Sequence, residues 1–184
     1  MRVVGGKFRG KALAGPKTDA IRPTTDRMRE SVFNILEHRF GGLEGRRVLD
    51  LFAGTGALGL EAMSRGAEHA LFVEEGVEGR GLLRRNIESL GLMGRTRIFR
   101  RDATKLGEVG TLEPFDLVFL DPPYSRGLGE QALVSAAGGG WLKASALCVF
   151  EEAAGAEVAI PDEFSLEDER KAGDSVVRYL AYTG

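Results

Sequence analysis

Three features of the chain predict an α/β fold built on a mostly parallel sheet. The first is the stretch 48–60, VLDLFAGTGALGL, where a short apolar strand (Val48, Leu49, Leu51) runs into Gly54, Gly56 and Gly59, and Ala57, Leu58, Leu60, Ala62 and Met63 open a helix. Strand, tight glycine turn and helix N-terminus together make a nucleotide cradle, because glycine lets the backbone bend sharply and approach a ligand closely. The second is FDLVFLDPPY, residues 115–124, whose Leu117, Val118, Phe119 and Leu120 have the continuous apolarity of a strand buried on both faces. The third is the alternation of such runs with segments of helical spacing. Ligands of open parallel sheets bind outside the carboxyl ends of the strands, so Asp50, Glu74 and Asp121 are expected to face one crevice.

From the N-terminus, Arg2-Val3-Val4 and Lys7-Phe8-Arg9 alternate around Gly5-Gly6 and hint at a hairpin, a ribbon suited to lie along RNA. Ile21-Arg22-Pro23-Thr24-Thr25 leads into a helix over about 26–39, with Met28, Val32, Ile35 and Leu36 as its apolar stripe and Thr25 or Asp26 as its cap. After the cradle come a strand over 70–74, a helix over 77–90 weakened by Gly79 and Gly81, and a strand over 96–101 that ends in Asp102-Ala103. A helix over 128–137, Gly138-Gly139-Gly140 and Trp141 follow, with Trp141 assigned to the core. A strand over 146–151 holds Cys148, and a last strand covers 176–182, reached by a connection with no clear helix pattern. The acids dense between 151 and 169, including Glu157, Asp162, Glu163, Glu167 and Asp168, are expected to be solvated and to avoid RNA.

The 184 residues fit one α/β domain with a small appendage, and a hydrophobic content of 43% suffices for a sizeable core. One cysteine cannot form an internal disulfide; Cys148 in its apolar run is a core thiol, and a reducing cytoplasm is the natural setting. No long apolar span and no charged-then-apolar leader are visible, which predicts neither membrane insertion nor secretion. The net charge of −2 is unevenly placed: residues 1–29 carry eight basic side chains against Asp19 and Asp26, a net +6, which leaves −8 on the rest. A basic arm on an acidic domain suits a phosphate-facing surface, with Arg2, Lys7, Arg9, Lys11, Arg22 and Arg27 as candidate RNA contacts; a merely solvated basic face is the alternative. The two histidines, His38 and His69, stand apart from any ligand cluster, so no metal site is expected.

Two cofactor classes fit the cradle. Gly54-Thr55-Gly56-Ala57-Leu58-Gly59 satisfies the dinucleotide pattern GxGxxG, and Glu74 stands about where a ribose-binding acid belongs, with Glu75 as its neighbour. Asp50 favours the other class: an acid just before the glycines would repel a pyrophosphate, whereas the amino group of S-adenosylmethionine would donate to it. An NAD-type oxidoreductase therefore stands as the rival class, and a non-catalytic RNA-binding module as a third.

LDLFAGTG followed downstream by DPPY resembles the amino-group methyltransferases that use S-adenosylmethionine. The runs MRVVGGKFRGKAL and IRPTTDRMRESVFNIL resemble more narrowly the bacterial family that methylates guanine N2 of small-subunit (16S) ribosomal RNA. The resemblance covers nearly the whole chain. It implies a Rossmann-like class I methyltransferase fold: a mostly parallel seven-stranded sheet with an antiparallel last strand, plus a small N-terminal β-hairpin. An arm over 1–22 would precede a catalytic domain over 23–184. It implies that Asp50, Phe52, Ala53, Gly54, Thr55, Gly56, Glu74, Asp102, Ala103 and Thr24 hold S-adenosylmethionine. Asp102 would accept from the adenine amino group while Ala103 leaves room for the ring; for Asp102 a turn cap, and for Thr24 a helix cap, are the plainer alternatives. The substrate implied is a small-subunit assembly particle with ribosomal proteins bound, and the protein is expected to act as a monomer.

An exocyclic amine is a poor nucleophile until acceptors hold its hydrogens. Asp121 and the Pro122 carbonyl offer two acceptors at one turn, Pro122 and Pro123 keep that turn rigid, and Tyr124 offers a face for a flipped base. DPPY alone does not separate guanine N2 from adenine N6 of DNA or RNA; the N-terminal resemblance chooses guanine. Ring-carbon chemistry would need an activated cysteine, and Cys148 has no flanking activator.

Overall fold

The computed structural model of the protein describes residues 1–16 and 25–184, so Arg22 and Thr24 lie outside the described residues. The elements run in the order α1 (Asp26–Phe40), β1 (Arg47–Leu51), α2 (Ala57–Ser64), β2 (His69–Val73), α3 (Val77–Ser89), β3 (Thr96–Phe99), β4 (Phe115–Leu120), α4 (Leu128–Gly138), β5 (Leu142–Ala153), β6 (Phe164–Ala172) and β7 (Ser175–Tyr182), with short 3-10 turns at Met93–Arg95 and Ala103–Lys105. The strands form one seven-stranded sheet in the order β3-β2-β1-β4-β5-β7-β6. Strands β1 to β5 pair in parallel, and β7 is antiparallel to both of its neighbours. The expected mostly parallel sheet with an antiparallel last strand is therefore the observed one.

Period-2 alternation along the buried strands supplies a core on each face. Leu117 and Phe119 of β4 join Phe33 and Leu36 of α1, Leu60 of α2 and Leu83 of α3 on one side. Val118 and Leu120 join Leu133 and Ala136 of α4 and Trp141 on the other. Each fully buried Val, Leu or Phe among them contributes about 1.5–3 kcal/mol. Trp141 and Cys148 are both core residues, as expected, and burial pushes the Cys148 thiol far above its usual range, so it stays protonated. The hydroxyl of Thr25 caps α1, accepting from the Met28 N–H at 3.1 Å.

Two expectations need correction, and one connection gains a strand. The arm does fold back on itself, but Lys7-Phe8-Arg9 forms the turn and the returning segment is Lys11 to Leu13: Arg2 bridges Ala12, and the Val3 N–H donates to the Lys11 carbonyl at 2.9 Å. Burial sets this register, because among the described residues of the arm Val3 and Leu13 are the ones buried in the core. The connection before the last strand holds a strand of its own, β6. Its Glu167, Asp168, Glu169, Arg170 and Lys171 carry no apolar period because it is an edge strand, paired only with β7, and charge on an edge deters further pairing. Finally, Glu151 is buried rather than solvated, as is Glu152 beside it, whereas Glu157, Asp162, Glu163 and Glu167 are exposed.

A buried carboxylate fastens the start of the arm. Glu61 of α2, fully buried, accepts from the Val4 N–H at 2.9 Å and the Gly5 N–H at 2.8 Å, and stands 3.4 Å from Arg29 and 2.8 Å from Arg65. Arg29 donates in turn to the Arg2 carbonyl at 2.6 Å and pairs with Asp26. Its charge is thus spent inside the protein rather than on a phosphate-facing surface. Removing one member of a buried charge network leaves the others unpaired, so Glu61→Ala should cost about 3 kcal/mol. Urea unfolding should show this as a lower midpoint at unchanged slope.

Candidate active site

The register of the parallel strands brings the expected residues together. Leu51 lies opposite both Val73 and Leu120, and Val73 lies opposite Phe99, so β3, β2, β1 and β4 end level with one another. The residues that follow open into a cleft of about 650 Å³. Asp50, Phe52, Ala53, Gly54, Thr55, Glu74, Asp102, Ala103, Asp121, Pro122, Pro123 and Tyr124 all line it, with Glu75 beside them. Gly56 does not line it. It caps α2 at a φ of 82°, and a Cβ there would stand 2.3 Å from Leu83 Cδ1, so its glycine serves the turn and the packing of α3.

Local backbone chemistry builds the cradle. Phe52 takes a left-handed φ of 58°, which turns the chain off β1 and lets the Ala53 N–H return to the Val73 carbonyl at 3.1 Å. Asp50 is almost fully buried, and its Oδ2 accepts from the Gly59 N–H at 3.0 Å in the first turn of α2. The amide that would draw a pyrophosphate to this helix N-terminus is therefore already answered by the protein's own carboxylate. Glu74 holds the cradle from the β2 side: its two oxygens accept from the Gly54 N–H at 2.7 Å and the Gly76 N–H at 2.8 Å. Gly79 of α3 is needed here, because a Cβ would meet the Glu74 carboxyl carbon at 2.9 Å. Each carboxylate oxygen keeps a second lone pair for a ligand.

Asp102 Oδ1 accepts from both the N–H and the hydroxyl of Thr104, at 2.9 and 2.7 Å. These bonds, the hydroxyl first, hold its pKa below the usual carboxylate range. Asp102 thus caps the turn that follows it, and Oδ2 has no hydrogen bond among the described residues. Asp50 is shifted the opposite way: burial first, then the negative charges of Asp121 and Glu74, raise its pKa well above the ordinary value, against the lowering effect of the Gly59 N–H. Among the described residues five carboxylates line the cleft against two guanidinium groups, those of Arg101 and Arg126. Such a lining suits a cationic ligand. No group of three or more His, Cys, Asp or Glu among the described residues is placed to hold a metal.

At the acceptor side Pro122 is buried and Pro123 exposed, and the Tyr124 hydroxyl donates to Glu151 Oε2 at 2.8 Å. Sequence reasoning missed Glu151, Arg101 and Arg126. Arg101 donates to the Leu106 carbonyl at 2.8 Å and lies over the Phe99 ring. Arg126, two residues past the DPPY run, was the one with a readable signal. Of the expected RNA contacts, Arg2, Lys7, Arg9, Lys11 and Arg27 are all exposed and none lines the cleft. The arm nonetheless reaches its edge: Met1 Sδ lies 3.7 Å from the Thr55 hydroxyl, and the buried Asn86 amide donates to the carbonyls of both Ala14 and Thr55, at 3.1 and 2.9 Å. No helix among the described residues is long and apolar enough to cross a membrane.

Between the ordinary carboxylate value near 4 and the raised value of Asp50, the folded chain binds more protons than the unfolded one, so this group lowers stability as pH rises through that window. Asp50→Asn removes the titration and keeps an acceptor for Gly59. Melting curves from about pH 4 to about pH 8 should show the variant gaining on the parent chain as pH rises. A gain independent of pH would contradict a buried, titrating Asp50.

A family model described as Conserved hypothetical protein 95 matches residues 1–181. The Escherichia coli (strain K12) protein named ribosomal RNA small subunit methyltransferase D is 38% identical over 180 residues, covering 97% of this chain and 88% of that protein. The Haemophilus influenzae protein of the same name is 32% identical over 184 residues, covering 99% and 93%. The solved structure of yhhF from Escherichia coli matches with a TM-score of 0.82 at 33% identity, over 99% of this chain and 97% of that one.

Proposed function

The chain belongs to the conserved hypothetical protein 95 family, together with the ribosomal RNA small subunit methyltransferases D, and from that membership we propose that it methylates the exocyclic N2 of a guanine in 16S ribosomal RNA. The cofactor is S-adenosylmethionine, which supplies the methyl group on a sulfonium. The acceptor is a small-subunit assembly particle with ribosomal proteins bound, and the protein works as a monomer in the bacterial cytoplasm.

The observation that carries this reading is the buried Asp50 carboxylate bonded to the Gly59 N–H. It fills the helix N-terminus that a dinucleotide's phosphates would use and presents negative charge where the amino group of S-adenosylmethionine has charge to offer. Glu74, with a free lone pair on each oxygen, suits a ribose diol, and Asp102 Oδ2 beside Ala103 suits the adenine edge. On the other side of the cleft, Asp121 and the Pro122 carbonyl accept from the two hydrogens of the target amine. They draw its lone pair out of the ring, and Asp121 favours the positive charge that develops on nitrogen. The Tyr124 ring carries the flipped base. The exposed Lys7, Arg9 and Lys11 of the arm contact RNA phosphates, held in place by the Glu61 anchorage.

The test is transfer of labelled methyl from S-adenosylmethionine to small-subunit RNA and to particles from a strain lacking the protein, followed by nucleoside digestion. N2-methylguanosine is expected; N6-methyladenosine would overturn the base, and no incorporation would overturn the reaction. Asp121→Ala should lower the transfer rate by a factor of about 100 or more with cofactor affinity retained. Loss of cofactor binding instead would assign Asp121 to the cofactor. Changing Lys7, Arg9 and Lys11 together to glutamine should weaken RNA binding and reduce the slope of log affinity against log salt by about 2. An unchanged slope would remove the arm from the interface.

A further inference from the structure

Two buried acids on β5 grip the acceptor turn from behind. The Tyr124 hydroxyl donates to Glu151 Oε2 at 2.8 Å, and the N–H of the next residue, Ser125, donates to Glu152 Oε1 at 2.9 Å. Glu151 is 7% exposed and Glu152 1% exposed. Both stand on a strand held on its two edges: Phe150 pairs with Leu120 of β4, while Glu151 and Glu152 pair with Val177 and Val176 of β7. Ser125 has a φ of 58°, a left-handed conformation that costs a non-glycine residue about 1–2 kcal/mol and persists where its surroundings impose it. Carboxylates are expensive to bury without partners, and here the two meet consecutive residues, Tyr124 and Ser125.

We propose that Glu151 is a positioning residue for the methyl transfer described above, an inference that rests on that reading. Tyrosine has two free side-chain rotations, and the charge-assisted bond from its hydroxyl to Glu151 removes the swing of the ring. The Tyr124 face is then set before the base arrives, and a base stacked on it brings its amine to Asp121 and the Pro122 carbonyl without a search over ring positions. Glu152 fixes the backbone from which the ring projects. Phenylalanine at 124 would present the same face without the bond to Glu151, which makes that bond separable from the stacking.

The experiment measures kcat and KM for methyl transfer in the parent chain, Glu151→Ala, Glu151→Gln, Tyr124→Phe and the Tyr124→Phe/Glu151→Ala double variant. Glu151→Ala should lose about 10- to 100-fold in kcat with KM for S-adenosylmethionine unchanged, and Glu151→Gln, which keeps an acceptor, should recover most of it. In the Tyr124→Phe background the same alanine change should cost less than about twofold, because the tether is already gone. A loss as large in that background as in the parent chain, or no loss at all, would overturn the proposal. Failure of the parent chain to methylate RNA would count against the function alone, and the tether is read separately by ring-13C tyrosine NMR. Of the three tyrosines, Tyr124 should shift in Glu151→Ala while Tyr179 and Tyr182 stay in place; an unmoved Tyr124 signal would overturn the tether.

Discussion

The hydrogen bond from the Gly59 N–H to the buried carboxylate of Asp50 joins the end of β1 to the first turn of α2, and the geometry of the cleft depends on it. For Asp50 to reach that amide, the chain must leave β1 at once, which the left-handed Phe52 accomplishes. For α2 to start so close, Gly56 must turn without a side chain and leave room for Leu83. Glu74 then closes the loop from the neighbouring strand through the Gly54 N–H. The carboxylate is costly where it stands, since burial and two nearby acids oppose its ionisation. A site that keeps such a group is strained toward a positive ligand, and stability and binding are set against each other at one residue.

What could be read from the sequence was what the chain writes contiguously. The strand, glycines and helix of 48–60 are adjacent in the chain, so the cradle and its acids were legible, as were the strand and turn of 115–124. Helix and strand positions followed from apolar periods of 3.6 and from continuous runs. The side chains that hold these motifs in place were not legible, because each acts across a long sequence gap. Glu61 binds the arm backbone from 57 positions away, Asn86 meets Ala14 from 72, and Glu151 meets Tyr124 from 27. A glutamate has the same letter whether it is solvated or buried. Only the fold separates Glu151, buried on β5 opposite Val177 of β7, from exposed Glu157 six positions later.

The arm and β6 show the same limit. In the arm, alternation of basic and apolar residues suggested one return segment, but alternation counts only where one face is buried, and the residue that enters the core is Leu13. In β6 there was no pattern to find, because an outermost strand needs only a backbone ladder to one neighbour, and β7 supplies it.

The place of the glutamate brace on β5 has a consequence for the growing chain. The side chains Glu61, Glu74, Asn86 and Asp102, which fasten the cradle and the arm beside it, all lie within residues 1–104, whereas the acceptor turn is fastened by residues 151 and 152 on a strand flanked by β7. Synthesis from the N-terminus therefore delivers the cradle segments before the fasteners of the acceptor side. The brace on the acceptor wall is complete only when β5 and the carboxyl-terminal hairpin of β6 and β7 that pairs with it are both present.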